Sequence, residues 1–321
     1  ITILLALSTS GLFAQTAYDA LMLSENSYEG TARSVAMGNA FTALGGDLGS
    51  IGINPAGSAV ANYSQFTITP GLTISSNTTQ GVSPYTDGYL PYFERQFKNT
   101  ATHFAIPNLG MTFNWKTGRK SGLKNVTFGF VMNRVNSWNE DLYAAGRNAT
   151  TSFMGAMAYE ASGCLASDLG AADAYEFMPW KYVTGFKSGM ISTFGGLEDQ
   201  YVGASEVIYQ NSATGDTEIV VGGELDQTYG RKVDGAKYEY TFNLGGNISD
   251  FVYIGANLGF TSLSYSYDEY FSEKAVDQRD FEIGLDNGKK MYFQHMKYNY
   301  SYNANGAGVF GKFGIIVTPM T

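Results

Sequence analysis

The sequence predicts an all-β protein, a transmembrane antiparallel β-barrel preceded by an N-terminal plug and interrupted by one large, partly helical extracellular loop. Three observations carry that expectation. Charged residues make up only 15% of the 321 residues, against roughly 25% in soluble globular domains. The chain is rich in glycine (39), tyrosine (23) and phenylalanine (21), a composition that favours strands over helical bundles. Apolar and polar residues alternate with period two in seven separate segments, as a sheet with two unlike faces requires. The same numbers exclude other classes. The 44% hydrophobic content excludes disorder, and no apolar run reaches the roughly 18 residues of a membrane-spanning helix. A single cysteine, Cys164, excludes a disulfide framework and a cysteine-based zinc site. A net charge of −9 argues against nucleic acid as a partner.

The elements follow in chain order. The apolar run Ile1 to Leu7, passing into Leu12-Phe13-Ala14-Gln15, reads as the hydrophobic region and cleavage site of an export signal cut after Ala14. Residues 1–14 are therefore expected to be a signal peptide without its initiating Met and basic start. Export into an oxidising compartment agrees with the scarcity of cysteine. At the other end Thr318-Pro319-Met320-Thr321 directly follows a strand-like run, so the chain is expected to be part of a longer one.

Residues 15–61 show no strand alternation and are rich in small residues. Irregular backbone of this kind cannot face lipid, because its polar groups would go unpaired. It is expected to lie inside the barrel as a plug, ahead of a partial barrel over residues 62–321. In the first strand Phe66, Ile68, Pro70, Leu72 and Ile74 oppose Thr67, Thr69, Gly71, Thr73 and Ser75. The second sets Leu109, Met111, Phe113 and Trp115 against Asn108, Gly110, Thr112 and Asn114. The third sets Val126, Phe128, Phe130 and Met132 against Thr127, Gly129, Val131 and Asn133. In the fourth, Tyr238, Tyr240, Phe242 and Leu244 oppose Lys237, Glu239, Thr241 and Asn243. The fifth runs Val252, Ile254, Ala256, Leu258 and Phe260 against Tyr253, Gly255, Asn257 and Gly259. The sixth places Met296, Tyr298, Tyr300 and Tyr302 opposite His295, Lys297, Asn299 and Ser301. The seventh sets Val309, Phe313, Ile315 and Val317 against Phe310, Lys312 and Ile316.

Alternation alone also suits a half-buried sheet in water. The polar faces, however, carry Gly, Asn and Thr rather than dense Lys and Glu. Connections also alternate: 118–124, 249–250 and 305–308 read as tight turns, whereas 77–105, 136–235 and 269–289 are long. Short turns at one rim and long loops at the other characterise outer-membrane barrels. Trp115, Tyr265, Tyr267, Tyr300 and Tyr302 are expected in the aromatic girdles. Seven strands is an odd number, whereas bacterial barrels have even ones. Pro107 is a candidate weak point in the wall, since proline donates no ladder hydrogen bond.

Residues 138–235 break the strand pattern and are expected to form the extracellular loop. Phe153, Met157, Ala161, Leu165 and Leu169 recur every fourth residue, which predicts helix, and residues 198–210 read as a second helix. This stretch holds 14 acidic and 5 basic residues, whereas the rest of the chain is neutral. The whole net charge thus belongs to one loop, as a solvated face or as a surface for cations or lipopolysaccharide.

The plug carries the run from Tyr28 to Asp47 with its Gly46-Asp47 step, and ends in Asn54-Pro55-Ala56-Gly57 just before the first strand. In these features the chain resembles the FadL/TodX/OmpP1 family of outer-membrane transporters for hydrophobic compounds. The resemblance covers about residues 25–60. It implies an N-terminal hatch in a barrel of about fourteen strands, of which roughly half would be present here. It also implies a mechanism: a long-chain fatty acid or other hydrophobic molecule binds in the lumen, the hatch shifts, and the ligand leaves sideways through the wall, which keeps it out of water. Asn54, Pro55, Ala56 and Gly57 would be the hatch motif. Asn243, Asn257, His295 and Lys297 are the candidates to face a ligand in the lumen, the last two by meeting a substrate carboxylate or as ordinary polar lining.

No catalytic constellation is legible. The chain has two histidines, His103 and His295, and no GxSxG elbow, so no enzyme, metal or cofactor is expected. Expected contacts are a hydrophobic small molecule, outer-membrane lipid and lipopolysaccharide in a Gram-negative envelope. The competing expectation is a non-transporting barrel of a protein-secretion or surface-attachment apparatus, with the long loop binding partner proteins.

Overall fold

Period-two alternation in this chain becomes six long antiparallel strands in one sheet, with most of the exposed apolar residues on one side. The computed structural model describes residues 17–80, 96–210, 215–284 and 288–318; the expected signal peptide lies outside them. Four short helices come first, α1 (Ala17–Ser24), α2 (Ala32–Ala36), α3 (Ser50–Ile53) and α4 (Gly57–Val60). The strands β1 (Gln65–Thr79), β2 (Phe97–Lys116) and β3 (Leu123–Asn148) follow. An insertion then carries α5 (Phe153–Ala161), α6 (Ala166–Gly170), α7 (Ala174–Phe177) and α8 (Trp180–Lys187). It ends in two small hairpins, β4 (Ile191–Thr193) with β5 (Tyr201–Gly203) and β6 (Glu206–Gln210) with β7 (Thr217–Val221). The sheet resumes with β8 (Leu225–Ile248) and β9 (Val252–Ala275). After a hairpin of β10 (Glu282–Gly284) and β11 (Lys290–Tyr292), β12 (His295–Val317) completes it. The sheet order is β1-β2-β3-β8-β9-β12. No helix among the described residues is long and apolar enough to cross a membrane.

The outer face carries the exposed apolar residues of the strands, with Phe66, Ile68, Leu72 and Ile74 on β1 and Phe113 and Trp115 on β2. Leu244, Ile254, Leu258 and Phe313 continue this apolar surface across β8, β9 and β12. The inner face carries Asn108, Thr112, Thr127, Asn133, Thr241, Asn243 and Asn257, all buried. What buries them is the N-terminal segment, which lies against the inner face: Leu48 and Ile51 pack on Val131, and Ala56 and Ala59 on Tyr253 and Ile316. The sheet curls strongly enough for Asn77 of β1 to donate to the Asp141 carbonyl of β3 (3.2 Å), across the intervening β2.

Several expectations are corrected. Residues 305–308 are not a turn: β12 pairs with β9 without interruption from His295↔Lys274 to Val317↔Val252. The sixth and seventh expected strands are therefore one, which makes the strand number six. Because side-chain parity is kept along one strand, His295 and Lys297 share the outer face with Phe313 and Ile315, and Tyr298, Tyr300 and Tyr302 face inward. Tyr265 and Tyr267 also face inward, paired with Ala304 and Tyr302. Of the expected girdle residues, Trp115 stays on the outer face, 74% exposed.

The insertion is shorter than 138–235, because β3 and β8 pair continuously up to Asn148↔Leu225. Residues 149–224 hold ten acidic and two basic residues. The fourfold spacing from Phe153 does open a helix, but α5 ends at Ala161 and a separate α6 places Leu169 in the same core as Met157, Ala161, Val183 and Ile191. Residues 198–210 are not helical; they contain β5 and β6.

Candidate functional site

The Asn54-Pro55-Ala56-Gly57 turn sits on a row of glycines. Gly245 of β8 pairs with Gly255 of β9, which pairs with Gly314 of β12, so three neighbouring strands lack a side chain at one level of the inner face. A methyl group built on Gly255 would overlap the Pro55 carbonyl, one on Gly314 the Asn54 Oδ1, and one on Gly245 the Ser58 hydroxyl. The row lets the turn approach the sheet backbone directly, the use for which a strand gives up a side chain.

Polar side chains then fix the turn in place. Asn54 Nδ2 donates to the carbonyls of Thr42 (2.7 Å) and Ile315 (3.2 Å), while its Oδ1 accepts from the Ala56 amide (3.1 Å). Asn243 Nδ2 donates to the Pro55 carbonyl (3.0 Å) and to Asn257 Oδ1 (2.7 Å). Asn257 Nδ2 donates to the Ile51 carbonyl (2.8 Å). Asparagines on the strands thus supply donors to carbonyls of short helices and turns that have no partner of their own.

Two ion pairs extend the seat. Lys312 Nζ donates to Glu239 Oε2 (2.9 Å), Tyr28 Oη (3.1 Å) and the Gly52 carbonyl (3.2 Å). Arg134 Nε donates to Glu29 Oε2 (3.0 Å), and Ser137 Oγ donates to Glu29 Oε1 (3.1 Å). The Gly46-Asp47 step is a local brace: Asp47 Oδ1 accepts from Thr31 Oγ1 (2.7 Å) and the Gly49 amide (2.8 Å).

Beside this seat the sheet is incompletely bonded. β2 pairs with β3 from Lys116↔Asn125 only as far as Asn108↔Asn133. At that level β2 carries Pro107, which has no amide hydrogen, and the β1–β2 register shifts between Thr69 and Gly71, around Pro70. Beyond it, the N-terminal segment takes the place of β2 on the β3 edge. The Ser27 amide donates to the Val135 carbonyl (2.5 Å), the Glu29 amide to the Arg134 carbonyl (3.0 Å), and Asn136 Nδ2 to the Glu25 carbonyl (3.2 Å).

Above the seat, between α1 and the inner face, lies a cavity of about 750 Å³. Trp138, Tyr265, Tyr267, Tyr300 and Tyr302 supply its aromatic wall, Met22 its floor, and Arg231, Glu140 and Asp19 its charges. Arg231 pairs with Glu140 through its terminal nitrogen. Its Nε and the Tyr302 hydroxyl are buried without a hydrogen-bond partner. They are two of eight buried side-chain polar atoms without a partner among the described residues; such atoms are uncommon, and these two line one cavity. A second cavity, of about 1090 Å³, opens between the insertion and β12 and is lined by Met154, Trp180, Met190, Phe293 and Met296 among others.

The sequence-derived candidates divide accordingly. Asn54, Pro55, Ala56 and Gly57 form the seated turn. Asn243 and Asn257 are brought to it, but they hold its backbone and are only 4% and 5% exposed. His295 and Lys297 are not brought to it. On the outer face, His295 Nε2 meets Ser272 Oγ (3.0 Å) and the Lys297 ammonium lies over the Tyr270 ring (4.5 Å). Sequence reading missed Arg231, Trp138 and the inward tyrosines. For Tyr300 and Tyr302 the signal was the unbroken parity of β12, hidden by the turn read at 305–308; Trp138 and Arg231 lay inside the expected loop 138–235. Among the described residues no cluster of His, Cys, Asp and Glu is arranged to hold a metal ion. Comparison of the chain with protein-family models, curated proteins and solved structures finds no match in any of the three.

Proposed function

We propose that this chain forms part of an outer-membrane β-barrel that transports long-chain fatty acids or other hydrophobic molecules. The observation that carries the reading is the cavity above α1, where an aromatic wall adjoins two unpartnered buried donors, Arg231 Nε and Tyr302 Oη. An apolar chain gains by leaving water for such a wall, and a carboxylate supplies the acceptor that both donors lack. In this reading the N-terminal segment is a hatch, and the stretch of β3 that it covers is the lateral exit. Withdrawal of Ser27 and Glu29 from β3 opens the wall beside Pro107 without breaking the β2–β3 ladder below Asn108. The outward apolar band meets lipid, the insertion lies outside the cell, and the edges of β1 and β12 are paired in the closed barrel, as a lipid environment demands.

Binding of a fatty acid and of the matching fatty alcohol to wild-type protein and to Arg231→Ala tests this. The substitution is expected to weaken the acid by about tenfold or more, the worth of a charge-assisted hydrogen bond, and to leave the alcohol unchanged. Equal effects on both ligands, or none, sink the assignment.

A second reading has its own observation. The insertion folds around its own core and carries nearly all of the chain's net charge, which fits a barrel of a secretion or surface-attachment apparatus that binds partner proteins. Stable protein partners together with a ligand-free cavity in the purified protein would favour it.

A further inference from the structure

At the rim of short turns, charge and shape coincide on the outer face, behind the glycine row that seats the Asn54 turn on the inner one. The β2–β3 turn with its flanks reads Lys116-Thr117-Gly118-Arg119-Lys120-Ser121-Gly122-Leu123-Lys124, four cations with no acidic residue. Lys124 pairs with Asp250 of the neighbouring turn. Among the described residues Lys116, Arg119 and Lys120 form no ion pair. They stand on a fixed scaffold. The Gly122 amide donates to Ser249 Oγ (2.8 Å), and the Ser249 amide donates back to the Gly122 carbonyl (2.8 Å). Thr117 closes the hairpin with its amide on the Lys124 carbonyl (2.9 Å).

Directly above this turn the outer face is indented. One row of register partners runs Trp115, Val126, Gly246, Ile254, and the next runs Phe128, Leu244, Ala256, Phe313. Gly246 and Ala256 are the small members, and between Val126, Leu244, Ile254 and Phe313 they leave an apolar dent of about 490 Å³. Val126 lies two strand residues, roughly 7 Å, from Lys124. An exposed tryptophan, Trp115, stands beside it, the side chain that favours the boundary between headgroups and acyl chains.

We propose that this rim binds an anionic phospholipid, its phosphate held by Lys116, Arg119 and Lys120 and one acyl chain lying in the dent. The inference rests on the reading of the outer face as lipid-facing. Charge complementarity selects the headgroup, because juxtamembrane cations attract anionic lipid while the opposite rim, with ten acidic and two basic residues in the insertion, repels it. A purely polar anion would use the cations and leave the dent without a role.

The test uses the full-chain protein equilibrated with equal amounts of phosphatidylglycerol and phosphatidylcholine of identical acyl chains. Retained lipid is read by native mass spectrometry, on variants first shown to keep the wild-type β circular dichroism. Phosphatidylglycerol is expected to be enriched on the wild type, and molar salt, which screens exposed charges, is expected to remove the enrichment. In the combined variant Lys116→Ala, Arg119→Ala, Lys120→Ala the enrichment falls by about fivefold per cation removed, with fatty-acid uptake unchanged. Gly246→Leu fills the dent and lowers retention of both lipids. Equal retention of the two lipids by the wild type, or undiminished enrichment in the triple variant, overturns the proposal. A wild type that enters vesicles of neither lipid overturns it together with the membrane reading on which it rests. Enrichment that persists in a protein without fatty-acid uptake upholds the lipid site and removes transport alone.

Discussion

The N-terminal segment and the insertion are both small helical pieces attached to one sheet, yet they are held in opposite ways. The insertion has an apolar interior of its own, with Met157, Ala161, Leu169, Val183 and Ile191 buried together, and a second cluster that ties Met154 to Leu225, Ala275 and Met296 at the strand ends. The N-terminal segment has hardly any interior. Its helices are four to eight residues long, too short to persist alone, and its apolar contacts are mostly with the sheet. Strand asparagines, Lys312 and Arg134 bond its backbone and side chains, and the glycine row accepts its turn. A piece with its own core folds where it is; a piece whose apolar partners lie mostly on one face takes its place from that face.

The largest expected effect comes from closing the glycine row. Gly255→Leu places a side chain where the Pro55 carbonyl now rests, and no rotamer avoids the backbone. The N-terminal segment should lose its seat, becoming open to proteolysis near residues 25–60, while the β content of the sheet stays. A segment as protected as in the wild type would mean that the row is not what positions the turn. Met157→Ala should act on the other piece alone. Emptying this buried site costs about 2–5 kcal/mol, so the insertion is expected to lose hydrogen-exchange protection while β1, β2 and the seat of Asn54 keep theirs. Loss of protection at Asn54 as well would show that the two pieces are coupled.

The smallest effect is a pH dependence of the insertion. Burial raises the Glu206 carboxyl above its ordinary range, the nearby Glu273 charge adds to this, and the Gly203 amide bonded to Glu206 Oε2 (2.7 Å) opposes both. The folded insertion therefore holds this proton more tightly than the unfolded chain. The contribution to stability is complete below the ordinary carboxylate value and disappears as the pH rises through the folded one. Relative to Glu206→Gln, the wild type should gain stability on acidification from about pH 7 to about pH 4. A difference that stays flat over that range would take Glu206 out of the account.

The same contrast governs what the sequence discloses. The faces of β1, β2 and the lower parts of β3, β8 and β9 are legible because most residues there report their own environment, an apolar side chain outward and a small polar one inward. The middle of β12 is not legible because Asn303, Ala304, Asn305 and Gly306 look like turn residues, whereas their pairing with Ser266, Tyr265, Ser264 and Leu263 is a property of another strand. Reading a turn there put Tyr300 and Tyr302 of the cavity wall into an external girdle and His295 and Lys297 inside. In the insertion, residues 198–210 pair with partners at 191–193 and 217–221, and no local period announces such short hairpins. The turn at Asn54 was visible as a motif. Its seat was not, since Gly245, Gly255 and Gly314 become one feature only when three strands are laid side by side.

The pairing of β3 with β8 has a consequence for the order in which the chain assembles. The two strands are neighbours from Asn148↔Leu225 down to Leu123↔Ile248, although the whole insertion separates their upper ends in sequence. Closing a long loop costs entropy that grows only logarithmically with its length, and an insertion that folds on its own core shortens the effective loop to the gap between its two ends. The β3–β8 ladder can then zip downward from Asn148 and Leu225, with the Gly122–Ser249 bonds between the two turns as its last step. The long-range pairing at the centre of the sheet thereby becomes nearly as local as a hairpin.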